Sequence, residues 1–334
     1  MSNRSRAHIF KLRAGEMVEV KSKEEILCGL DERGNFDNLP FMPEMLKFCG
    51  QRFRVFKRAD KTCDTITSRG LRRMRDAVHL EGVRCNGSSH GGCQAQCLIF
   101  WKEAWLKRVE QRSAERENTD PFASRATIDE EALARNAQIT EHLFSCQATE
   151  LNRATTELWK WDVAQYLRDI WSKNVKVRDL IRWIIFDLFT VLSQIKGYRA
   201  LMWTYNFLAR WMGGVEYPVY QGTLTKTPIE QLDLKPGELV RIKDRETIIR
   251  TLDTHNHNRG LSFDIEMVNF CGGTFRVLTR VEKAIDEKTG KMIHFSNPNI
   301  VLEDVTCQAY YKNKGCPRNI YSFWREVWLE RVKQ

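Results

Sequence analysis

Short stretches in which apolar and charged residues alternate occur in both terminal parts of the chain. From the N-terminus they are residues 15–21, 53–58, 78–85, 238–243, 274–280 and 299–306. Alternation with a period of two places the apolar side chains on one face of an extended strand. The pattern therefore predicts two groups of short, half-buried strands, as found in small antiparallel sheets and barrels.

One of these regions is a repeat of the other. The stretch 41–55 returns as 263–277, an offset of 222 residues, and the correspondence continues without a gap to Cys85 and Cys307. After that point the offset becomes 223. The sequence thus predicts a duplicated module, with similar strands in each copy.

Each copy ends in a pair of tryptophans spaced by four residues. Trp101 and Trp105 in the first copy correspond to Trp324 and Trp328 in the second. An i, i+4 spacing places both indoles on one face of a helix, so we expect a C-terminal helix in each module. The strands and this helix favour a small twisted barrel of the Src-homology-three kind. A three-stranded sheet capped by a helix is the alternative.

The middle of the chain has a helical pattern instead. Residues 177–196 are the most apolar part, but Arg178, Asp179, Arg182 and Asp187 interrupt them. Since a membrane-spanning helix needs about 20 apolar residues, we expect no transmembrane span, and instead helix packing, a protein partner or self-association. The sequence therefore predicts an α+β protein with β-modules at 1–112 and 227–334, flanking a linker and helical domain at 113–226.

The charge and the cysteine content limit the possible partners of the protein and the possible roles of its cysteines. The 334 residues carry a formal net charge of +10, which permits an anionic partner such as nucleic acid. The N-terminus lacks the apolar core of a secretory signal, and the chain has ten cysteines. We therefore expect a cytoplasmic protein whose cysteines are metal ligands, buried apolar residues or, less favoured by the pattern, redox groups.

The repeated cysteines supply a candidate metal site in each copy. In the first copy the candidate ligands are Cys49, Cys85, Cys93 and Cys97, with Cys63 and His90 as additional candidates. Four thiolates form a closed tetrahedral zinc site. Thiolate-rich ligation also suits iron or an iron–sulfur cluster, which are the alternative cofactors.

The second copy retains three of the four thiols. They are Cys271, Cys307 and Cys316, and Ile320 stands where the first copy has Cys97. His294 is the candidate for a fourth ligand, or the position stays open for water or substrate, as in catalytic metal sites.

Glu44 and Glu266 occupy matching positions beside the cysteine turns. Each is a candidate to support a ligand or to act as a general base, and pairing with an arginine is the alternative.

The stretches 259–277 and 90–106 resemble a family of uncharacterised bacterial proteins. The resemblance covers both copies and implies a bacterial cytoplasmic origin, but it implies no activity.

We interpret the chain as a zinc-binding tandem-module protein that acts as a binding or scaffold protein. A metal-dependent enzyme of a bacterial biosynthetic pathway is the first alternative, with chemistry at the three-cysteine site or between the modules. A nucleic-acid-binding protein is the second. The sequence leaves open whether the protein is an enzyme.

Overall fold

A computed structural model gives the fold of the chain. It describes residues 11–67, 70–109, 128–159, 162–192, 198–211 and 220–332, with the backbone alone for 189–192 and 198–201. The predicted linker at 112–126 lies outside the described residues.

Strands and helices both contribute, so the α+β class is confirmed. The strands are β1 (Met17–Val20), β2 (Asn35–Phe36), β3 (Leu39–Pro40), β4 (Arg52–Arg58), β5 (Thr62–Cys63), β6 (Leu71–Arg73), β7 (Ala77–Arg84), β8 (Leu98–Lys102), β9 (Leu106–Arg108), β10 (Gln138–Thr140), β11 (Leu143–Phe144), β12 (Thr156–Leu158), β13 (Leu239–Ile242), β14 (His257–Asn258), β15 (Leu261–Ser262), β16 (Thr274–Ile285), β17 (Met292–Thr306), β18 (Tyr321–Trp324) and β19 (Leu329–Arg331). The α-helices are α1 (Lys23–Leu27), α2 (Glu130–Ala137), α3 (Leu151–Ala154), α4 (Ala164–Trp171), α5 (Val177–Leu192), α6 (Tyr198–Trp211) and α7 (Arg245–Ile249). Among the described residues, 3₁₀ helices span Pro43–Phe48, Glu103–Trp105, Ile265–Phe270 and Glu326–Trp328.

The chain divides into two compact units. Unit 1 comprises Met1–Asn174, Lys283–His294 and Gly315–Asn319, and unit 2 comprises Val175–Glu282, Phe295–Lys314 and Ile320–Gln334. Two short segments of the second sequence repeat therefore belong to unit 1. The division into three domains, made from the sequence, stays a prediction.

In unit 1, five strands form a sheet in the order β8-β7-β4-β1-β9, with antiparallel neighbours. The edge strands β8 and β9 are separated only by the 3₁₀ turn Glu103–Trp105. A flat sheet of five strands is about 19 Å wide, four spacings of about 4.8 Å. A single 3₁₀ turn rises only about 6 Å. The sheet therefore curls into a half-barrel, and this brings its edges together.

The C-terminal part of the chain forms a second sheet with the corresponding strand order, β18-β17-β16-β13-β19. Met17 pairs with Arg54 in the first sheet, and Leu239 pairs with Arg276 in the second, at an offset of 222 for both residues. Between β16 and β17 the chain turns at residues 286–290.

The prediction of a C-terminal helix in each copy is wrong. Trp101 lies one residue before the end of the buried strand β8, and Trp105 ends a 3₁₀ turn. In the second sheet, Trp324 ends β18 and Trp328 ends the corresponding 3₁₀ turn. One 3₁₀ turn between two strands produces the four-residue spacing and points both indoles into the core. The Trp101 and Trp105 rings pack edge to face, 6.4 Å apart. A helix here would remove both edge strands of each half-barrel.

Helices α5 and α6 belong to unit 2 and pack through Phe186 and Tyr205, whose rings are 5.6 Å apart. The burial expected for 177–196 holds for one face of α5 only, and 193–196 lie outside the described residues. Large apolar side chains on other faces are exposed, namely Val177, Ile181, Ile184, Leu188, Trp203, Phe207 and Trp211. No helix in the described part of the chain is long and apolar enough to cross a membrane.

Candidate metal centre

Three potential metal ligands meet inside unit 1. Glu44 lies in the 3₁₀ helix Pro43–Phe48, Cys85 directly follows β7, and His90 lies in the loop that leads to β8. The strand β7 and the 3₁₀ helix are fixed by the buried core, to which Met45 and Val83 belong. The loop therefore brings His90 to a carboxylate and a thiol that the half-barrel already holds.

The three side chains share one hydrogen-bonded oxygen. The Cys85 thiol donates to Glu44 Oε1 at 3.0 Å, and His90 Nδ1 lies 2.8 Å from the same oxygen. One potential ligand atom from each residue lies within 4.8 Å of the others, and this is the one such group of three among the described residues. Glutamate, cysteine and histidine are all established zinc ligands.

The environment of His90 resembles that of a metal-bound histidine. His90 Nε2 lies 3.1 Å from the carbonyl oxygen of Ser145, which only accepts hydrogen bonds, so Nε2 carries a hydrogen. Histidine ligands typically donate their second ring N–H to a carbonyl or carboxylate, which orients the ring. The other ring nitrogen, Nδ1, faces Glu44 Oε1, so a metal ion bound to Nδ1 would take the place of this hydrogen bond.

The carboxylate is held in its charged form. Burial raises the pKa of Glu44, but the hydrogen bonds and charge of His90, together with the Cys85 thiol, lower the pKa by more, so it falls below its usual value. Burial and the Glu44 carboxylate raise the pKa of the Cys85 thiol far above its usual value. A metal ion that binds here must therefore displace the Cys85 proton, so its affinity increases with pH.

A cavity of about 40 Å³ adjoins this group. Its walls include four cysteines, Cys85, Cys93, Cys97 and Cys146, and the ring of His90. Burial is the largest cause that raises the pKa of Cys97, and it raises the pKa of Cys146 to about 11. These thiols are therefore protonated at neutral pH without a cation.

Backbone amides already point at two of the thiols. The N–H of Gly87 donates to Cys85 Sγ and the N–H of Ile285 donates to Cys93 Sγ, each at 3.4 Å. Such contacts stabilise a thiolate in a metal site. A backbone hydrogen bond from Cys85 N–H to Cys97 O, 2.9 Å long, also joins the two ends of the cysteine loop.

Gly87 makes the tight loop conformation accessible. Its φ is +69°, and a Cβ built on it would lie 2.0 Å from the carbonyl oxygen of Cys93. No side chain fits in that space, because the neighbouring atoms are backbone. The approach of the Cys85 end of the loop to Cys93 thus depends on glycine.

The remaining predicted ligands lie elsewhere. Cys49 and Cys271 pack against the separate cores of the two units, and His294 is exposed. Burial is the first cause that raises the pKa of each of these thiols, to about 12 for Cys271. The half-buried Cys307 donates its backbone N–H to Ile320 O at 2.7 Å, which repeats the bond between Cys85 and Cys97.

The glycine that follows Cys49 has a role in the sheet. The N–H of Gly50 donates to Val20 O at 2.9 Å, and the N–H of Gly272 donates to Ile242 O at 3.0 Å. The repeated Cys-Gly pair therefore fits the entry into β4 and β16, which follow it. This accounts for its presence in both copies without a metal.

Cys316, expected to be a ligand of the second copy, lies in the part of the second repeat that belongs to unit 1. There the N–H of Cys63 donates to Cys316 Sγ at 3.1 Å. Arg318 is also buried here, and donates to Thr65 Oγ1 at 2.6 Å and to Glu287 Oε1 at 3.1 Å. The thiols Cys63 and Cys316 therefore form a pair, which we call the dithiol site.

Glu266, the counterpart of Glu44, has different partners. Its carboxylate accepts hydrogen bonds from the backbone N–H groups of Tyr310, Tyr311 and Lys312, at 3.0, 2.7 and 3.0 Å. Both of its oxygens are satisfied, whereas the buried Oε2 of Glu44 has no hydrogen-bond partner among the described residues. The same carboxylate thus orders a loop in one copy and faces a cysteine and a histidine in the other. The sequence left pairing with an arginine as the alternative role of Glu44 and Glu266. The partners observed for the two carboxylates are those given above, and none of them is an arginine side chain.

Sequence reasoning missed Cys146 and gave Glu44 only a supporting role. Cys146 lies between the two repeats, so comparing the copies offers no matching residue. The only feature of the sequence that pointed to Glu44 was its position near a repeated Cys-Gly pair. Glu266 has the same position in the second copy, but its carboxylate contacts no cysteine or histidine among the described residues.

A scan against protein-family models finds no match to this chain, and a search of curated proteins finds no relative.

Proposed function

We propose that unit 1 binds one zinc ion at Glu44, Cys85 and His90, with the thiols that line the adjoining cavity supplying further ligation. The observation that carries this proposal is the compact group of three different zinc-ligand types within 4.8 Å, in which Glu44 and His90 are buried and Cys85 is half-buried. In this proposal the protein is a binding or scaffold protein, and the metal stabilises the module that makes its contacts.

The unpartnered oxygen of Glu44 supports the proposal. Buried polar atoms are nearly always hydrogen-bonded, and an exception calls for an explanation. Glu44 Oε2 is buried without a hydrogen-bond partner among the described residues, next to a thiol and an imidazole. A cation bound to the carboxylate would satisfy this oxygen and compensate its charge.

The size of the cavity favours a structural metal over a catalytic one. A volume of about 40 Å³ holds about three water molecules, at roughly 10–15 Å³ for each. A substrate of ordinary metabolite size needs a much larger pocket. The enzyme alternative at a three-cysteine site gains no support either, because Cys316 contacts Cys63 in unit 1.

We further propose that the two half-barrels are copies of one module of the Src-homology-three kind. The corresponding strand orders and the offset of 222 in the β1–β4 and β13–β16 registers support this proposal. An anionic partner, a protein partner or self-association, and a cytoplasmic location stay predictions from the sequence.

Elemental analysis of protein purified without added metal tests the zinc proposal. We expect about one zinc per chain in a colourless protein. Cys85→Ser and His90→Gln should each lose most of this zinc, because each removes a ligand from the compact group. Since structural zinc binding contributes on the order of 10 kcal/mol to folding, both variants should also melt at lower temperature.

The matched control is Cys28→Ser, which changes a half-buried cysteine at the C-cap of α1, away from the cavity. It should keep its zinc. Metal-free protein with an unchanged melting temperature in all three variants would contradict the proposal. A brown protein containing iron and sulfide would replace zinc by an iron–sulfur cluster.

A further inference from the structure

The dithiol site lies outside the proposed zinc ligands. Cys63 ends the short strand β5, and Cys316 lies 253 residues further along the chain. Both residues are at most 9% exposed. The N–H of Cys63 donates to Cys316 Sγ at 3.1 Å, so the tertiary structure places the two thiols side by side. Two buried cysteines in contact can form a disulfide when the backbone already holds them at short range.

The two thiols differ in their surroundings. Cys316 receives the Cys63 N–H and lies two residues before the buried guanidinium of Arg318. Burial raises the pKa of Cys316, but the hydrogen bond from the Cys63 thiol, the backbone N–H groups and Arg318 lower it by more. The same hydrogen bond, together with burial, raises the pKa of Cys63 well above its usual value. The N–H of Cys63 and the nearby Arg318 guanidinium therefore favour Cys316 as the more easily ionised sulfur of the pair.

Arg318 is fixed in place by other residues. Its guanidinium donates to Thr65 Oγ1 and to Glu287 Oε1, and its side chain is 4% exposed. A positive charge held in this way stabilises an adjacent thiolate and the anion that develops during attack by sulfur. The arrangement resembles neither an inert apolar thiol nor an exposed surface cysteine.

We propose that Cys63 and Cys316 form a peroxide-reactive dithiol, in which Cys316 is the attacking sulfur and Cys63 is the resolving sulfur. The oxidant is hydrogen peroxide or another small hydroperoxide, because the buried site excludes larger disulfide oxidants. This function is independent of the proposed zinc site.

The reaction has two balanced steps. The Cys316 thiolate attacks one peroxide oxygen, the O–O bond breaks, and the departing hydroxide takes up a proton to leave as water. Cys316 is then a sulfenic acid. The Cys63 sulfur attacks the sulfur of this sulfenic acid, and the S–O bond breaks. The Cys63 proton leaves with the hydroxide as a second water, and a disulfide remains. Two thiols are oxidised and one peroxide is reduced.

The experiment uses the full-length protein with the metal content it has on purification. The protein is treated with a small excess of hydrogen peroxide, the remaining thiols are alkylated, and the unreduced digest is analysed by mass spectrometry. We expect one dominant cross-linked species that joins the Cys63 peptide to the Cys316 peptide. We expect the thiol of Cys316 to disappear roughly tenfold faster than that of Cys28, because the thiolate is the reactive species.

Cys28 is the matched control, since it is more exposed than either thiol of the pair. If exposure alone governed oxidation, Cys28 would react first, and that result would overturn the proposal. Cross-links that join Cys85, Cys93, Cys97 or Cys146 in place of Cys63 and Cys316 would also overturn it.

Two variants separate the roles of the sulfurs. In Cys63→Ser, no resolving thiol is present, so a sulfenic acid should accumulate on Cys316. It should be trapped as a dimedone adduct when the peroxide-treated protein is unfolded in the presence of dimedone. In Cys316→Ser, Cys63 should stay reduced under the same treatment. Both variants are first checked for a wild-type melting temperature and zinc content. Should either fail to fold, the rates for Cys316 and Cys28 in the wild-type protein still decide the question.

Discussion

The two half-barrels use the same carboxylate in different ways. Glu44 and Glu266 occupy matching 3₁₀ helices and are almost equally buried. Glu266 accepts three backbone N–H groups, whereas Glu44 faces the Cys85 thiol and the His90 ring. The difference comes from the loops that follow β7 and β17, and not from the sheets.

This comparison shows what repetition within a chain can reveal. Residues that recur in both copies, such as the paired tryptophans and the Cys-Gly pair, serve the sheet and its core. Two of the three proposed ligands, Glu44 and Cys85, recur in the second copy as Glu266 and Cys307. His90 and Cys97 belong to the first loop only, and Ile320 stands in place of Cys97. The recurring residues therefore do not make the site by themselves, and the group forms only where the first loop adds His90.

The largest expected effect concerns Gly87. In Gly87→Ala, the new Cβ meets the backbone of Cys93, so the cysteine loop must open. We expect a loss of about 3 kcal/mol in the free energy of unfolding, from overpacking and from positive φ. Zinc content should fall with it. Both are measured by denaturant titration and elemental analysis.

Gly92→Ala is the control for this change. Gly92 also has a positive φ, of +73°, but an added Cβ meets only the flexible Lys283 side chain. It should cost about 1 kcal/mol and keep the zinc. Equal losses in both variants would mean that the contact with Cys93 does not shape the loop.

A smaller loss of stability is expected when the two glutamates are substituted, and zinc content should distinguish the two variants. Glu266→Gln places an NH₂ group against backbone donors, so we expect about 2 kcal/mol of destabilisation with unchanged zinc. Glu44→Gln removes a charged ligand, so we expect zinc loss as the leading effect. Zinc content and unfolding free energy are measured for both variants. Unchanged zinc in Glu44→Gln would remove the carboxylate from the proposed ligand set.

The smallest effect concerns His79, which the second copy replaces with Val301. Burial lowers the pKa of His79 to about 3, although its hydrogen bond to Ile99 O opposes this shift. The folded pKa lies below the unfolded value of about 6.5, so the unfolded chain takes up a proton first as pH falls. Stability is therefore complete above pH 6.5 and decreases from there towards pH 3.

We expect this histidine to remove about 1 kcal/mol of stability between pH 7 and pH 5.5. His79→Val should flatten the dependence of the unfolding free energy on pH by that amount. His294→Val changes an exposed histidine and should leave the dependence as it is. An unchanged slope in His79→Val would show that His79 is protonated in the folded protein.

Much of the fold follows from local patterns. Alternating residues predicted the main strands, because a strand that lies on a core must bury every second side chain. The spacing of Ser22 and Glu25 at the start of α1 is that of a capping box, and the structure contains this capping box. The error at Trp101 and Trp105 has a physical cause. A spacing of four residues fits one helical face, but it also fits a strand, a 3₁₀ turn and a second strand.

The candidate site was only partly accessible from the sequence. Cys85, Cys93, Cys97 and His90 lie within 13 residues of one another, so their proximity follows from short chain connections. Glu44 and Cys146 join them through the packing of distant segments. The repeat also suggested Cys49 as a ligand, but its burial against the core explains its recurrence without a metal.

The sequence by itself determined the repeated strands, the buried tryptophans and the presence of a cysteine-rich loop. These depend on the period of apolar residues and on short-range chain geometry, which are written into neighbouring positions. Only the tertiary structure decided that Glu44 faces His90 and that Cys316 lies against Cys63, 253 residues away. Such contacts arise because each unit closes its core around segments that are far apart in the chain. No local pattern records which of these distant side chains will meet.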